Sequence, residues 1–179
     1  DSWENQPILD KETYYSRLKQ KFQNILPRYF NSKETVGMSL TGGLDTRMIM
    51  ACANRPPGSL PCYSFGGMYR DSYDVSISRK VAEVCNQPHH TLTLGKEFLS
   101  KFPELAEKSI FISDGCLDAT SAYELYLNKL AREIAPIRMT GNYGSEVLRS
   151  VRAFKATAPC NGLLNPDFNN YIKEALETF

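Results

Sequence analysis

The sequence predicts an α/β fold in which a doubly wound parallel sheet lies between two layers of helices. Short apolar runs alternate with longer segments whose apolar residues recur every three or four positions, which is the pattern of right-handed β-α-β units. Two of the apolar runs end directly in glycine-containing turns, at residues 41–46 and 141–144. Because the carboxyl ends of parallel strands share one edge of the sheet, both turns are predicted to lie where such folds bind ligands.

Composition and charge exclude several classes of protein. A chain of 179 residues with a formal net charge of +1 has the size of one domain and no basic surplus to bind a nucleic acid. No apolar run approaches the length of a membrane span, and the N-terminus has no signal-peptide pattern. The five cysteines form no C-x-x-C pair, which favours reduced thiols. We therefore expect a cytoplasmic protein that contacts neither nucleic acid nor membrane.

The two ends of the chain lead us to expect a fragment of a longer protein. The first residue is Asp1 instead of Met, and Tyr171–Phe179 has helical spacing with no stop signal after it. No linker and no internal repeat divides the sequence between them. We expect residues 1–179 to form a single domain.

The first three elements are predicted from spacing and caps. Residues 10–29 have apolar positions at helical spacing, with Asp10 as the expected N-cap and Pro27 expected to end or kink the helix. The apolar run Val36–Leu40 is predicted to be the first strand. After the glycine turn, Leu44–Ala53 is predicted to be a helix, which the following Pro-Pro-Gly sequence stops.

The rest of the chain repeats the alternation of strand and helix. A helix is predicted to begin at residues 71–74 and to carry Ile77, Val81, Val84 and Cys85 on one face. Pro103 is expected to interrupt the next helix early. The other predicted elements are strands at Leu60–Phe65, His90–Leu94 and Ile137–Thr140, and helices at Lys96–Ile112, Leu117–Ala135, Glu146–Phe154 and Tyr171–Phe179.

The first glycine turn has the chemistry of a phosphate-binding loop. Gly42 and Gly43 let the backbone approach a polyphosphate closely, and the hydroxyls of Thr41 and Thr46 can bind its oxygens. Asp45 would repel phosphate unless a cation lies between them, which points to Mg²⁺. The turn has neither a Walker lysine nor a G-x-G-x-x-G pattern. The alternative is a structural turn in which Asp45 only caps the helix.

This part of the chain, Val36–Arg47, resembles the PP-loop, S-G-G-x-D-S, of the ATP-pyrophosphatase (adenine nucleotide alpha hydrolase) superfamily, and most closely the synthetase domain of asparagine synthetase. Three later segments resemble the family's second strand, its helix leading into a His-His strand start, and its second glycine turn. These segments are Cys62–Gly66, Ser78–Cys85 with Pro88–His90, and Thr140–Glu146. The resemblance covers about residues 10 to 155 and implies a HUP-like, Rossmann-like three-layer α/β/α fold.

The resemblance also implies ATP and Mg²⁺ as cofactors and assigns a role to each matching position. The family activates a carboxylate as an acyl-adenylate, releases pyrophosphate and lets an amine attack. Asp45 would lie near Mg²⁺, and Asp45 and Glu146 are the candidate catalytic residues. The candidate ATP-binding residues are Thr41, Gly42, Gly43, Leu44, Asp45 and Thr46 at the phosphates, and Ser39, Phe65 and Gly141 around the adenosine.

The second glycine turn departs from the family pattern. Asn142 replaces a glutamate associated with the ammonia step, and Ser145 replaces an aspartate expected to hold the substrate's amino group. Glu146 remains, although a glutamate in a helix's first turn is also ordinary helix-dipole chemistry. The glutaminase domain of asparagine synthetase is also absent. We therefore expect a ligase or amidotransferase-like domain that adenylates a small-molecule carboxylate other than aspartate and that has a partner domain or glutaminase in the full-length protein.

Two alternatives to this interpretation as an adenylating domain remain open. The first is a catalytically degenerate nucleotide-binding or partner-interaction module, in which Arg47 blocks the phosphate loop with its own guanidinium instead of neutralising phosphate charge. The second is a scaffold portion of a larger enzyme.

Overall fold

The computed structural model of the chain describes residues 7–116, 118–142, 144, 170, 171 and 174. It divides into two compact units, residues 1–141 and 142–179, and every element named below belongs to the first. The helices are α1 (Lys11–Phe30), α2 (Leu44–Ala53), α3 (Tyr73–Val84), α4 (Lys96–Ile112) and α5 (Ala122–Ile134), and the strands are β1 (Val36–Ser39), β2 (Cys62–Gly66), β3 (His89–Thr93) and β4 (Ile137–Met139). The helices predicted at Glu146–Phe154 and Tyr171–Phe179 fall largely outside the described residues.

The described strands form one parallel sheet in the order β3-β2-β1-β4. The chain runs outward from β1 to β2 and β3, and then returns to place β4 on the other side of β1. The strand order therefore reverses between β1 and β4, which is where parallel α/β sheets form a ligand crevice at their carboxyl edge. This arrangement confirms the predicted α/β fold with a doubly wound parallel sheet.

Two apolar clusters lie on the opposite faces of the sheet. Side chains alternate along a strand, so in β2 Cys62 joins one cluster and Phe65 joins the other. The first cluster packs residues of α1, α2 and α3 against β1 and β2, around Met38 and Leu40. The second packs α4 and α5 against the sheet, with Phe98 and Leu127 at its centre. Helices therefore cover both faces, which confirms the three-layer architecture.

The prolines do not end the helices that contain them. Asp10 is the N-cap of α1, as predicted, and its carboxylate accepts a hydrogen bond from the backbone N–H of Thr13 at 2.9 Å. The helix then continues through Pro27 to Phe30, because Leu26 and Phe30 are both buried in the first apolar cluster. Helix α4 likewise continues through Pro103. Tertiary packing of the flanking turn outweighs the hydrogen bond that proline cannot donate.

The face predicted for α3 is correct for Val81 and Cys85, which pack against the first apolar cluster, and wrong for Val84. Val84 is 81% exposed, whereas the fully buried residues are Val75, Ser78 and Ala82. These three positions follow the i, i+3, i+7 spacing of a helix face, and two of them are small. The small side chains let α3 approach the sheet closely, a reason for burial that hydrophobicity alone does not reveal.

The prediction of one helix over Leu117–Ala135 is also corrected. A short 3₁₀ turn, Ala119–Ser121, precedes α5. The Asp118 carboxylate accepts a hydrogen bond from the Thr120 backbone N–H at 2.9 Å and starts this turn. No helix among the described residues is both long and apolar enough to cross a bilayer.

The described cysteines differ in burial, and we expect their thiols to differ in reactivity for this reason. Cys62 is fully buried, and burial raises the pKa of its thiol to about 12, whereas Cys116 is exposed. The reactive species is the thiolate, so Cys62 stays protonated at pH 8 and is shielded as well. We expect iodoacetamide to label Cys116 in the native protein and Cys62 only after denaturation, which peptide mass spectrometry would measure. Native labelling of Cys62 as fast as Cys116 would contradict the described core.

Candidate functional site

The first glycine turn lies at the carboxyl end of β1, beside the reversal in strand order. Helix α2 begins after Gly43, which is its N-cap and has an extended backbone conformation. No side chain caps this helix, and Asp45 lies in its first turn instead of at the cap position. Asp45 is therefore not the N-cap residue of α2, and the wider alternative, a structural turn without a ligand, stays a prediction. Its charge still interacts favourably with the helix dipole.

Two threonine hydroxyls hold the turn in shape. Thr46 is only 4% exposed, and its hydroxyl lies 3.1 Å from the carbonyl oxygen of Thr41, to which it donates. The two hydroxyl oxygens, Thr41 Oγ1 and Thr46 Oγ1, are 3.3 Å apart, and Thr41 Oγ1 accepts the N–H of Gly43 at 3.2 Å. Thr46 therefore acts chiefly on the backbone of the turn, while Thr41 is exposed and able to contact a ligand.

The backbone N–H of Gly42 donates to a carboxylate from another helix. Asp74, in the first turn of α3, accepts this hydrogen bond through Oδ1 at 2.7 Å. A Cβ atom at Gly42 would lie 2.7 Å from the same oxygen, so only glycine allows this approach. One backbone N–H group of the turn is therefore already hydrogen-bonded to a negatively charged oxygen. Sequence reasoning placed Asp74 only at a helix start, because nothing in the sequence links it to Gly42, 32 residues away.

The second glycine turn contacts the first. A Cβ atom at Gly141 would lie 3.0 Å from Asp45 Cβ and 3.0 Å from the backbone nitrogen of Thr46. Gly141 follows β4, the neighbour of β1 in the sheet, so the pairing of these strands brings the two turns together. The structure thus places Gly141 beside two of the residues predicted to bind phosphate.

Ser39 and Phe65, both predicted to line the adenosine, are joined by a residue that sequence reasoning missed. The Arg138 guanidinium on β4 donates to Ser39 Oγ at 3.1 Å and lies 5.0 Å from the centre of the Phe65 ring. The signal in the sequence was an arginine in a short apolar strand, immediately before the second glycine turn. Ser39 is buried, whereas Arg138 is exposed.

The other predicted site residues are placed as follows. The Leu44 side chain is 55% exposed at the start of α2. Arg47 Nε donates to the Gly43 carbonyl oxygen at 3.3 Å, which holds its guanidinium against the turn. Asn142 is exposed and begins the second compact unit. Ser145 and the candidate catalytic residue Glu146 lie outside the described residues.

The donor set suits a magnesium ion held mainly by phosphate. The described residues contain no cluster of three or more histidine, cysteine, aspartate or glutamate side chains that could bind a metal. Asp45 is half-buried at the turn and supplies one carboxylate there. Mg²⁺ usually binds nucleotides in this way, through one or two carboxylates, the phosphates and water. The residues of the site that the structure describes therefore fit a phosphate-held Mg²⁺ and do not by themselves form a metal centre.

Fold and site together define the class: a three-layer α/β domain whose candidate ligand loop lies at the reversal in strand order. The asparagine synthase family model matches residues 17–177, and the chain therefore belongs to the asparagine synthase family, part of the PP-loop ATP pyrophosphatase superfamily. A search of curated proteins finds no match. The family uses ATP, so the chain is in general terms an ATP-using domain of the ligase or amidotransferase type.

Removing the negative charge of Asp74 is expected to strengthen the binding of a phosphate anion. Asp74→Asn removes the negative charge and leaves Gly42 with a weaker, neutral acceptor, the amide oxygen, so the Kd of ATP without Mg²⁺ should fall by up to about tenfold, the difference expected between a charge-assisted and a neutral hydrogen bond. Isothermal titration calorimetry would measure this change in the Kd of ATP. Asp71→Asn is the matched control, because Asp71 pairs with Arg79 at 2.9 Å instead of with the turn. Weaker ATP binding in Asp74→Asn would show that Asp74 supports the turn and does not compete with phosphate.

Proposed function

We propose that this domain binds ATP and Mg²⁺ and adenylates a carboxylate substrate other than aspartate, with release of pyrophosphate. The single observation that carries the proposal is the hydrogen bond from Gly42 N–H to the Asp74 carboxylate. It supports an anion site because a backbone donor of the turn is directed at a negatively charged oxygen. The contact between Gly141 and the start of α2 supports the same proposal, because it brings the second glycine turn beside the first.

Each predicted residue then has a role that follows from its position. The N–H groups of Gly42 and Gly43 and the Thr41 hydroxyl would bind the departing phosphates, and Thr46 would keep the turn in shape. Asp45 would hold Mg²⁺ together with those phosphates. Leu44 would contribute its backbone, and Ser39, Phe65 and Gly141 would line the adenosine.

The reaction requires charge to be stabilised on the leaving group. A carboxylate oxygen of the substrate attacks the α-phosphorus of ATP, and the bond from that phosphorus to the α,β-bridging oxygen breaks. The electron pair leaves with pyrophosphate, whose negative charge meets the N–H groups and hydroxyls of the turn. When bound, Mg²⁺ supplies further positive charge to that leaving group. The acyl-adenylate is then open to attack by an amine.

The acceptor end of the site differs from that of an asparagine-forming enzyme. Asn142 and Ser145 stand where the resemblance expects two carboxylates, which would have held an ammonium group and accepted a proton. Glu146 remains as a candidate proton acceptor. We infer a small-molecule acid that does not depend on those contacts, a nitrogen source delivered by a partner domain or glutaminase, and a cytoplasmic location with no nucleic-acid or membrane partner.

A second candidate function is a nucleotide-binding or partner-interaction module without catalysis. The hydrogen bond that Arg47 donates to the carbonyl oxygen of Gly43 favours it, and the bond from Gly42 to Asp74 is compatible with both functions. The polar groups of the turn would then be satisfied by the protein's own side chains. In this case ATP binding would serve recognition or stability instead of turnover.

The two functions are separated by assaying turnover and binding in one set of samples. Full-length protein is incubated with ATP, Mg²⁺, an amine donor and a panel of carboxylic acids, and AMP and pyrophosphate are quantified. AMP and pyrophosphate formed in equal amounts, and only with particular acids, support adenylation. Calorimetric ATP binding without AMP formation across the panel would favour the module. ATP binding no stronger than that of a denatured sample would overturn both.

A further inference from the structure

The guanidinium of Arg55 is charged and partly buried, and it donates no hydrogen bond to any residue that the structure describes. Its Nε atom is closed to solvent and has no partner. The guanidinium lies over the ring of Phe30, 5.8 Å from the ring centre, and this contact supplies no acceptor oxygen. Neither ion pair in the described part of the chain includes Arg55. A buried donor without an acceptor is costly, and its presence calls for an explanation.

The backbone around Arg55 is held in place by a buried side chain. Gln87 is 8% exposed, and its Nε2 atom donates to the carbonyl oxygens of Arg55 at 3.3 Å and Pro56 at 2.9 Å. Its Oε1 atom accepts the backbone N–H of Leu60 at 2.8 Å. The loop that carries Arg55 is therefore tied to the core at both ends. A fixed group of this kind loses little conformational freedom when it binds a ligand.

The dipole of α2 explains only part of this arrangement. Arg55 follows Asn54, the C-cap residue of α2, and the partial negative charge at the end of a helix favours a nearby cation. An exposed side chain would supply that charge equally well. The dipole therefore accounts for a positive charge at this position, but not for a buried N–H group without an acceptor.

Arg55 borders a cavity of about 210 Å³ that is lined by further donors. This volume is below the roughly 300–1,000 Å³ of pockets for drug-sized ligands, so the cavity suits a small ligand. Its other lining side chains with an ammonium or hydroxyl group are Lys33, Ser32, Thr35 and Ser59. The Ser32 hydroxyl oxygen accepts the backbone N–H of Glu34 at 3.2 Å, which leaves its proton able to donate to a ligand.

The charges around this cavity favour an anion. Arg55 and Lys33 are the cations among its lining residues, and Glu34 is the one carboxylate. Glu34 belongs to neither ion pair in the described part of the chain, so it does not neutralise Arg55. A second cavity bordered by Arg55, of about 190 Å³, is lined by apolar residues such as Met50 and by no other cation. The first cavity is therefore the better place for a negative group.

The cavity lies at the opposite edge of the sheet from the phosphate turn. Thr35 immediately precedes β1, and Ser59 lies shortly before β2, so both mark the amino ends of their strands. The phosphate turn follows the carboxyl end of β1. The four residues of β1 separate the two edges by about 13 Å. A ligand in the cavity therefore does not occupy the predicted ATP site.

We propose that Arg55 forms a second anion site, which binds the phosphate group of a free phosphate ion or of a small phosphate monoester. The Nη groups of the guanidinium bind two phosphate oxygens in its planar fork, because Nε is closed to solvent. Lys33 supplies a second positive charge, and the Ser32 hydroxyl donates to a third oxygen. A phosphate has enough oxygens for these three groups, whereas a carboxylate has two. The bound charge also stabilises the partly buried cation. The site does not depend on the proposed ATP chemistry.

The test follows phosphate binding at Arg55 itself, by nuclear magnetic resonance on the full-length protein. Inorganic phosphate and glycerol phosphate are the probes, and acetate is the carboxylate control. The Nε–H signal of Arg55, identified by its loss in Arg55→Gln, should shift with both or one of the phosphates and much less with acetate. This signal reports the Arg55 cavity and not the phosphate turn. A lower Kd for glycerol phosphate than for inorganic phosphate would support the site and identify an ester as its ligand, and the reverse would identify free phosphate.

Variants give the expected magnitudes, with the Kd taken from the backbone N–H signals of Thr35 and Ser59. Arg55→Gln should weaken phosphate binding at least about tenfold, the loss expected for a hydrogen bond between charged groups. Arg55→Lys keeps the charge without the planar fork and should restore part of the affinity. Glu34→Gln should tighten phosphate binding, because it removes the carboxylate from the cavity.

Arg17→Gln is the matched control. Arg17 is exposed near the start of α1, the helix that ends at Phe30, so the variant loses the same charge away from the cavity. It should leave phosphate binding unchanged, and circular dichroism should show that every variant is folded. Equal shifts with acetate and phosphate, or unchanged phosphate binding in Arg55→Gln, would overturn the site. An equal loss of ATP and phosphate binding in Arg55→Gln would overturn it too, because Arg55 would then act through the fold of α2.

Discussion

Asp45→Asn is expected to lower the rate of ATP-dependent pyrophosphate release by about a hundredfold to a thousandfold, the range found when one preorganised electrostatic contact to a reacting group is removed. The side chain keeps its shape and loses its charge, so the half-buried position beside Gly141 is still filled. Mg²⁺ would then lose its protein carboxylate in the proposed site. A coupled pyrophosphate assay at saturating ATP would measure the loss.

The same variant separates catalysis from helix stabilisation. Asp45 lies in the first turn of α2, and losing its favourable interaction with the helix dipole should reduce the free energy of unfolding by no more than about 1 kcal/mol. Urea unfolding monitored by circular dichroism gives this quantity. Raising the Mg²⁺ concentration should restore part of the lost rate of pyrophosphate release. Full activity in Asp45→Asn would contradict the proposed role of Asp45 in holding Mg²⁺. Its interaction with the helix dipole would then be its remaining role.

Gly141→Ala is expected to weaken ATP binding by about tenfold to a hundredfold, because displacing the phosphate turn would break a hydrogen bond to a charged phosphate. The new methyl group would lie 3.0 Å from the Thr46 backbone nitrogen and 3.1 Å from Thr46 Cγ2. Neither atom is at the free end of a flexible side chain, so the two turns must separate. The overpacking should also lower the free energy of unfolding by about 1–3 kcal/mol.

Gly95→Ala is the matched control for Gly141→Ala. No atom lies within 4 Å of a Cβ at Gly95, which immediately precedes α4. Its ATP affinity should equal that of the unmodified protein in the same calorimetric titration. If Gly141→Ala also bound ATP normally, the contact between the two glycine turns would not be part of the nucleotide site.

Much of the fold follows from local sequence signals. Helix α2 has the predicted bounds, because a glycine turn starts it and a Pro-Pro-Gly sequence closely follows its end. The parallel sheet follows from the alternation of strands and helices. The effect of the prolines and the position of Val84 were misjudged because they depend on packing: Leu26 and Phe30 keep the last turn of α1, and the polar Ser78 is buried while Val84 is exposed.

The site was predictable only where it is continuous in sequence. The turn from Thr41 to Thr46 was found because its residues are adjacent, and its resemblance to a known loop reinforced the assignment. Asp74 and Arg138 were missed, since each reaches the site through the fold: Asp74 from the start of α3 and Arg138 across the sheet to Ser39. A carboxylate at a helix start and an arginine in a strand are common, and only their three-dimensional partners make them candidate site residues.

A structure of the protein with ATP and Mg²⁺ tests the proposed ATP site most directly. We predict triphosphate oxygens within hydrogen-bonding distance of the N–H groups of Gly42 and Gly43, with the Asp74 carboxylate displaced from its 2.7 Å hydrogen bond to Gly42. We also predict a metal ion between Asp45 and the phosphates. Nucleotide bound elsewhere, with the hydrogen bond between Gly42 and Asp74 intact, would contradict the proposed site.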